Sequence, residues 1–171
     1  DHIESVTGDD GQLDLAALSD GLRAEREQGI TIDVAYRFFS TDTRSYVLAD
    51  TPGHERYTRN TFTGASNAHV AVVLVDAQHG LQRQTRRHAR IASLVGIKHV
   101  VAAVNKIDLV DFSGERFAAV KADLDELALQ VGIDEITAIP VAARRGDNVV
   151  HRSPSTPWYT GPTLLEFLES I

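Results

Sequence analysis

The chain contains no cysteine and no methionine among its 171 residues, and no apolar run approaches the length of a membrane span. Without cysteine a disulfide scaffold is excluded, and a cytoplasmic setting is the expectation; without a long apolar run no membrane association is expected. Basic charge is also scarce. Lys and Arg number 17 against 24 Asp and Glu, a formal net charge of -7. A free-standing nucleic-acid binder needs a basic surface to displace counterions from phosphates, so nucleic acid is not an expected partner. Internal repeats and low-complexity tracts are missing, although Ser153-Pro154-Ser155-Thr156-Pro157 reads as a loop.

What is present is ordinary in amount. At 43% hydrophobic and 24% charged, the chain can bury one sizeable core and is expected to be a single globular domain. It starts at Asp1, and an Asp in second position does not normally permit removal of an initiator Met, so a piece of a longer protein is expected.

Asp9-Asp10-Gly11 is a turn signal, after which Leu13, Leu15, Ala16, Leu18 and Leu22 recur at helical spacing and fade into a loop at Glu27-Gln28-Gly29. Ile32, Val34, Tyr36 and Phe38 alternate with other residues, Thr41-Asp42-Thr43 breaks the pattern, and Ser45 to Leu48 resumes it, which predicts a β-hairpin. Polar Glu55 to Asn60 is expected as a mobile loop and exposed helix. Val70 to Val75 is continuously apolar and β-branched, the pattern of a strand covered on both faces. Helices over Gln82 to Val95, Glu115 to Gln130 and Thr163 to Glu169 then alternate with strands over His99 to Val104 and Ile136 to Val141, and Gly161-Pro162 reads as the entry to the last helix, proline being tolerated in a first turn. This order predicts a doubly wound α/β domain with a mostly parallel sheet and right-handed crossovers.

Two strings carry chemistry, each at the C-terminal end of an apolar run, where open α/β sheets collect ligands. The first is Asp50-Thr51-Pro52-Gly53-His54 after Tyr46 to Ala49, and the second is Asn105-Lys106-Ile107-Asp108 after Val100 to Val104. The gap from Asp50 to Asn105 leaves room for one strand and two helices, as two adjacent ligand loops of a parallel sheet require. A nucleoside triphosphate with Mg²⁺ needs a carboxylate near the metal, a hydroxyl on it and backbone N–H groups aimed at the terminal phosphate. Asp50 can supply the first, Thr31 the second, and Gly53, which lacks a Cβ, the third. Read alone, Asp50 to Gly53 is equally compatible with a plain turn, and Thr31 with the start of a strand.

The second string adds base identity. A carboxylate at Asp108 can accept from both the ring N1–H and the exocyclic amine of guanine, Lys106 can lay its stem along the base, and Asn105 can tie the loop to neighbouring backbone. With Asp50 upstream in the right order, a guanine nucleotide is the expected ligand. His54, directly after Gly53, is placed to orient an attacking water. His79, His88, His99 and His151 show no metal-ligand spacing. Arg83, Arg86, Arg87 and Arg90 form one stripe on a helix, expected as a solvated face.

These residues resemble those of translation-factor-type GTPases, and within that class the GTPase subunits of bacterial sulfate adenylyltransferase. Gly21 to Asp33 is similar to switch I of these proteins, Asp50 to Asn60 with Thr63 to Ser66 to switch II, and Pro157 to Glu166 to the end of the GTP domain in these subunits and in elongation factors 1A. Tyr57 to Asn60, Val75 to Leu81 and Gln84 to His88 resemble the sulfate enzyme at points where the elongation factors differ. The resemblance implies a P-loop NTPase G domain that uses GTP and Mg²⁺. It implies nucleotide contacts from Asp50, Thr51, Pro52, Gly53, Asn105, Lys106, Asp108, Ala142 and Ala143, metal contacts from Thr31 and Asp50, and a catalytic role for His54. Ala142 stands where the family has Ser, so only backbone N–H groups of that loop can reach the base. No G-x-x-x-x-G-K-[ST] string occurs, so this chain is expected to lack the Walker A loop and the N-terminal strand before it. The implied partner is a smaller catalytic subunit that makes adenylylsulfate and diphosphate from ATP and sulfate, driven by GTP hydrolysis; an elongation factor 1A/Tu-like translation GTPase is the alternative.

Overall fold

Alternating side chains build the hairpin that their spacing predicts. In the computed structural model, which describes residues 31–171, strand β1 (Ala35–Ser40) pairs antiparallel with β2 (Ser45–Asp50). The helix expected over Leu13 to Leu22, its preceding turn and the loop at Glu27 to Gly29 lie outside the described residues. Thr41 closes the turn: its N–H donates to the Arg44 carbonyl at 2.8 Å and its Oγ1 accepts from the Arg44 N–H at 3.2 Å. The cross-strand pair Phe39 and Tyr46 stacks with ring centroids 4.7 Å apart. The first strand begins at Ala35 rather than Ile32, because the Asp33 carboxylate takes the Val34 N–H at 2.8 Å in a local turn that competes with the ladder. Glu55–Tyr57 form a 3-10 turn that runs directly into helix α1 (Thr58–Ala65). These elements belong to a first compact unit, Asp1–Asn67.

The second unit, Ala68–Ile171, is built on a parallel sheet ordered β3 (Val70–Asp76), β4 (His99–Asn105), β5 (Ile136–Pro140). Helices α2 (Arg83–Leu94) and α3 (Gly114–Val131) make the two crossovers. Both step across the sheet in the same direction, so right-handed connections place them on one face; α2 packs on β3, α3 on β5, and the helices on each other. The opposite face receives α4 (Leu164–Ser170), whose Leu164 and Phe167 pack with Tyr159 and Val149 against Val101, Ala103, Ile139 and Val141. Helices on both faces of a parallel sheet make this an α/β doubly wound arrangement, as the order of elements predicts.

Coverage of the sheet is uneven. β4 is buried from Val100 to Val104, but β3 is covered on one face only, with Val73 and Val75 buried and Val72 and Leu74 exposed. The expectation that β3 is buried on both faces is therefore corrected. Its continuous apolar pattern matches a central strand, whereas among the described residues β3 is the outer of three strands and joins the cluster around α4 through Val70 alone.

Helix ends follow from side-chain chemistry. Ser113 caps α3 by accepting from the Arg116 N–H at 3.1 Å, and Gly132, at φ 73°, ends it with its N–H on the Ala128 carbonyl. Thr163 and Glu166 form a reciprocal capping box at α4. Gly161-Pro162 thus leads into the helix at the entry expected of it, and Thr163, which can satisfy a free N–H group there as proline cannot, takes the cap. Phe117 of α3 gathers Trp158 and Tyr159 at ring separations of 5.3 and 5.8 Å. The Trp158 indole N–H donates to the Phe112 carbonyl at 3.0 Å. Burial pushes the Tyr159 phenol up to about 12, so it stays a donor, to the Pro162 carbonyl at 2.9 Å.

Candidate functional site

At the C-terminal end of β4 the chain turns sharply at Lys106, a non-glycine residue in the left-handed region at φ 62°. That turn is held by Asn105, whose Oδ1 accepts from the Lys106 N–H at 2.8 Å and from the Ala143 N–H at 3.0 Å. One side-chain oxygen therefore joins two loops that lie 38 residues apart in sequence. A base carbonyl reaching for the Ala143 N–H would share that bond with Asn105. Ile107 anchors the following 3-10 turn, Ile107–Val110, by complete burial and by donating its N–H to the Val141 carbonyl at 3.2 Å. Asp108 rides on this turn, half-buried. Among the described residues nothing donates to its carboxylate.

The loop after β5 has its own lock. Asn148, 1% exposed and at φ 57°, donates to the Pro140 carbonyl at 2.8 Å and to Thr156 Oγ1 at 3.0 Å, while its Oδ1 accepts from the Ser153 N–H at 2.8 Å. Ala142 and Ala143 are suspended between this asparagine and Asn105. The structure thus brings together Asn105, Lys106, Asp108, Ala142 and Ala143.

Asp76 belongs to the same constellation and is absent from the motif reading. Its Oδ2 accepts from Lys106 Nζ at 2.7 Å, and its Oδ1 accepts from the Gln78 N–H at 2.8 Å and the His79 N–H at 3.3 Å. Arg116 clamps the same turn from α3, donating to the Ala77 carbonyl at 2.6 Å and the Gln78 carbonyl at 3.1 Å. Burial pushes the Asp76 carboxyl up, but Lys106, the Gln78 and His79 N–H groups and the His79 ring together outweigh it and hold the pKa at about 2. The signal that could have found it is its position: Asp76 ends an apolar run, as Asp50 and Asn105 do.

In the first unit, Asp50 ends β2 half-buried, Pro52 is buried and Gly53 is half-buried. Helix α1 grips this turn at two points. The Thr61 hydroxyl donates to the Pro52 carbonyl at 2.6 Å, and Gly64 lies so close to the Thr51 methyl that a Cβ at Gly64 would collide with it. His54 is exposed and caps the 3-10 turn, its Nδ1 accepting from the Arg56 N–H at 3.2 Å. This bond leaves the proton of a neutral imidazole on Nε2. Thr31 is half-buried, next to Ile32, whose carbonyl receives the Asn60 amide at 2.8 Å. Thr31, Asp50, Thr51, Pro52, Gly53 and His54 thus all lie in the unit that ends at Asn67.

The arginine stripe on α2 is not uniform: Arg83, Arg86 and Arg90 are exposed and Arg87 is half-buried. Among the described residues no cluster of three or more His, Cys, Asp or Glu could hold a metal, and no helix is long and apolar enough to cross a membrane.

The family described as the elongation factor Tu GTP binding domain matches residues 1–171. The bifunctional enzyme NodQ of Rhizobium sp. (strain BR816) is 60% identical over 161 residues, 94% of this chain and 25% of that protein. Sulfate adenylyltransferase subunit 1 of Saccharophagus degradans is 54% identical over 178 aligned positions, 100% of this chain and 38% of that protein. The chain therefore spans between a quarter and two-fifths of the length of these relatives. Among solved structures, bacterial selenocysteine-specific elongation factor EF-Sec superposes with a TM-score of 0.70 at 26% identity, over 90% of this chain and 25% of that one. Sup35 complexed with GMPPNP superposes with a TM-score of 0.64 at 33% identity, over 79% of this chain and 34% of that one.

Proposed function

The chain belongs to the elongation factor Tu GTP binding domain family, and from that premise we propose that it is the GTP-binding and GTP-hydrolysing portion of a cytoplasmic sulfate adenylyltransferase. In this reading GTP hydrolysis here drives the formation of adenylylsulfate and diphosphate from ATP and sulfate on a smaller catalytic subunit. The observation that carries the nucleotide reading is Asp108, a half-buried carboxylate with no donor among the described residues, on a turn that Asn105 and Ile107 hold rigid. Its oxygens are open to a ligand, and the adjacent N1–H and amine of guanine can both donate to them where the edge of adenine cannot.

Phosphate-side roles follow from the first unit. Gly53 offers its N–H to the terminal phosphate, and the protonated Nε2 of His54 can donate to and orient a water. Mg²⁺ bound with the triphosphate supplies neutralisation of phosphate charge; the Thr31 hydroxyl, and Asp50 through water, would hold it. One or two protein ligands suit an ion that keeps waters and phosphate oxygens in its shell, and the lack of a larger ligand cluster among the described residues fits that ion. The sulfate assignment is supported by 54% identity to sulfate adenylyltransferase subunit 1 across the whole chain, against 26% to the elongation factor EF-Sec and 33% to Sup35. The test is GTP turnover by the complete protein with its co-purifying small subunit. Stimulation by ATP and sulfate together is the expected result, whereas unstimulated turnover with binding of aminoacylated tRNA would establish the translation-factor reading instead.

A further inference from the structure

We propose that Asp76 is a positioning residue for base recognition, stretching Lys106 into a fixed bar against which the guanine ring lies. The proposal rests on the reading of Asn105 to Asp108 as the guanine loop. Lys106 is tied at both ends: its backbone N–H to Asn105 Oδ1 at 2.8 Å and its Nζ to Asp76 Oδ2 at 2.7 Å. Between those ties runs the methylene stem, which is the part of the residue that can cover a flat base. A lysine stem is among the most rotamer-rich of side chains, and ordering it at the moment of binding weakens binding. Here the ordering precedes the ligand. The Lys106 side chain is 53% exposed against 20% for Asp76, so without that carboxylate the ammonium would turn to water and the stem would lose its direction.

Asp76 is itself held against swinging away. The register of β3 and β4 sets it opposite Asn105, its other oxygen takes the Gln78 and His79 N–H groups, and Arg116 fixes the Ala77 and Gln78 carbonyls of the same turn. The competing account is that Asp76 serves only to form that turn. The two accounts separate cleanly, because Asp76→Asn keeps an Oδ1 acceptor for the turn and removes the charge that holds Lys106.

The experiment is a double-mutant cycle on the full-length protein, with GDP affinity measured by calorimetry for wild type, Asp76→Asn, Lys106→Ala and the double variant. The expected result is a loss of roughly tenfold in affinity for Asp76→Asn in the wild-type background and no further loss when it is added to Lys106→Ala. Unchanged affinity for Asp76→Asn, or the same loss in both backgrounds, would overturn the proposal, since the turn would then act apart from Lys106. If Lys106→Ala alone leaves GDP affinity unchanged, the guanine-loop reading fails and the role of Asp76 falls with it. A loss for Lys106→Ala with none for Asp76→Asn overturns the positioning role alone.

Discussion

The side-chain amide of Asn60 donates to the Ile32 carbonyl across 2.8 Å, and so ties the backbone beside Thr31 to the helix that follows the Asp50 to His54 turn. If both segments answer to the terminal phosphate, this bond makes them answer together. Asn60→Ala is expected to leave GDP affinity unchanged and to narrow the gap between GTP and GDP affinity by about 1 kcal/mol, the worth of one such hydrogen bond. Parallel titrations with GDP and a non-hydrolysable GTP analogue check it; an equal loss for both nucleotides would remove Asn60 from the coupling.

Replacing Asp108 by Asn exchanges an acceptor for a donor at the base edge. The variant is expected to bind xanthine nucleotides in preference to guanine nucleotides, because the amide can meet the carbonyl that replaces the exocyclic amine. A site built around a buried hydrogen bond discriminates by roughly 10⁴-fold. Competition between GDP and XDP measures the switch, and retained guanine preference would refute the role of Asp108.

His54 combines a capping bond with its proposed work on water, and two substitutions separate them. His54→Asn keeps an acceptor for the Arg56 N–H, whereas His54→Ala does not. Both are expected to slow GTP hydrolysis on the order of 10²-fold while nucleotide affinity stays near wild type. Thermal melts should show a loss for the Ala variant alone. Undiminished single-turnover hydrolysis in either variant would exclude a chemical role for the imidazole.

Acid should weaken the second unit through Asp76. Its carboxyl lies at about 2 in the folded protein against an ordinary value of 3.8. A group depressed on folding stabilises above its unfolded pKa, and that contribution disappears as pH falls through the folded one, so the loss spans the interval from 3.8 down to about 2. Because the Lys106 ammonium is half exposed, solvent screens the pair and the contribution at neutral pH is on the order of 1 kcal/mol. Urea unfolding of wild type and Asp76→Asn is expected to differ by up to that amount near neutrality and to converge toward pH 2; a gap independent of pH would mean that the ionised carboxylate does not stabilise the fold.

Asn148 is the buried hub of the loop after β5, and its removal takes a bond from the Pro140 carbonyl, the Thr156 hydroxyl and the Ser153 N–H together. Asn148→Ala is expected to cost about 3 kcal/mol or more, since three buried partners lose a bond and alanine gains nothing at φ 57°. Chemical denaturation gives the number. A cost below about 1 kcal/mol would mean that water replaces the amide.

The parallel sheet and its crossovers were legible because continuous apolar runs and helical spacing are local signals, and the strands and helices of the second unit lie within a residue or two of where those signals put them. Asn105 and Asp108 were legible for the same reason, being three residues apart on one turn. Asp76, Asn60 and Asn148 were not. Asp76 meets Lys106 30 residues away and Asn60 meets Ile32 28 residues away, and such meetings are decided by strand register and helix placement, which no short string encodes. The one-sided burial of β3 was misread on related grounds: composition reports how apolar a strand is, and its neighbours in the sheet decide how much of it is covered.

The double grip of α1 on the Asp50 to His54 turn has a mechanical meaning. Thr61 is pinned to the Pro52 carbonyl and Gly64 is pressed on Thr51, so helix and turn are joined at two points nearly one helical turn apart, with no slack in either. A shift of the turn would therefore carry α1 with it, and with α1 the exposed side chains of Arg59, Phe62 and Thr63.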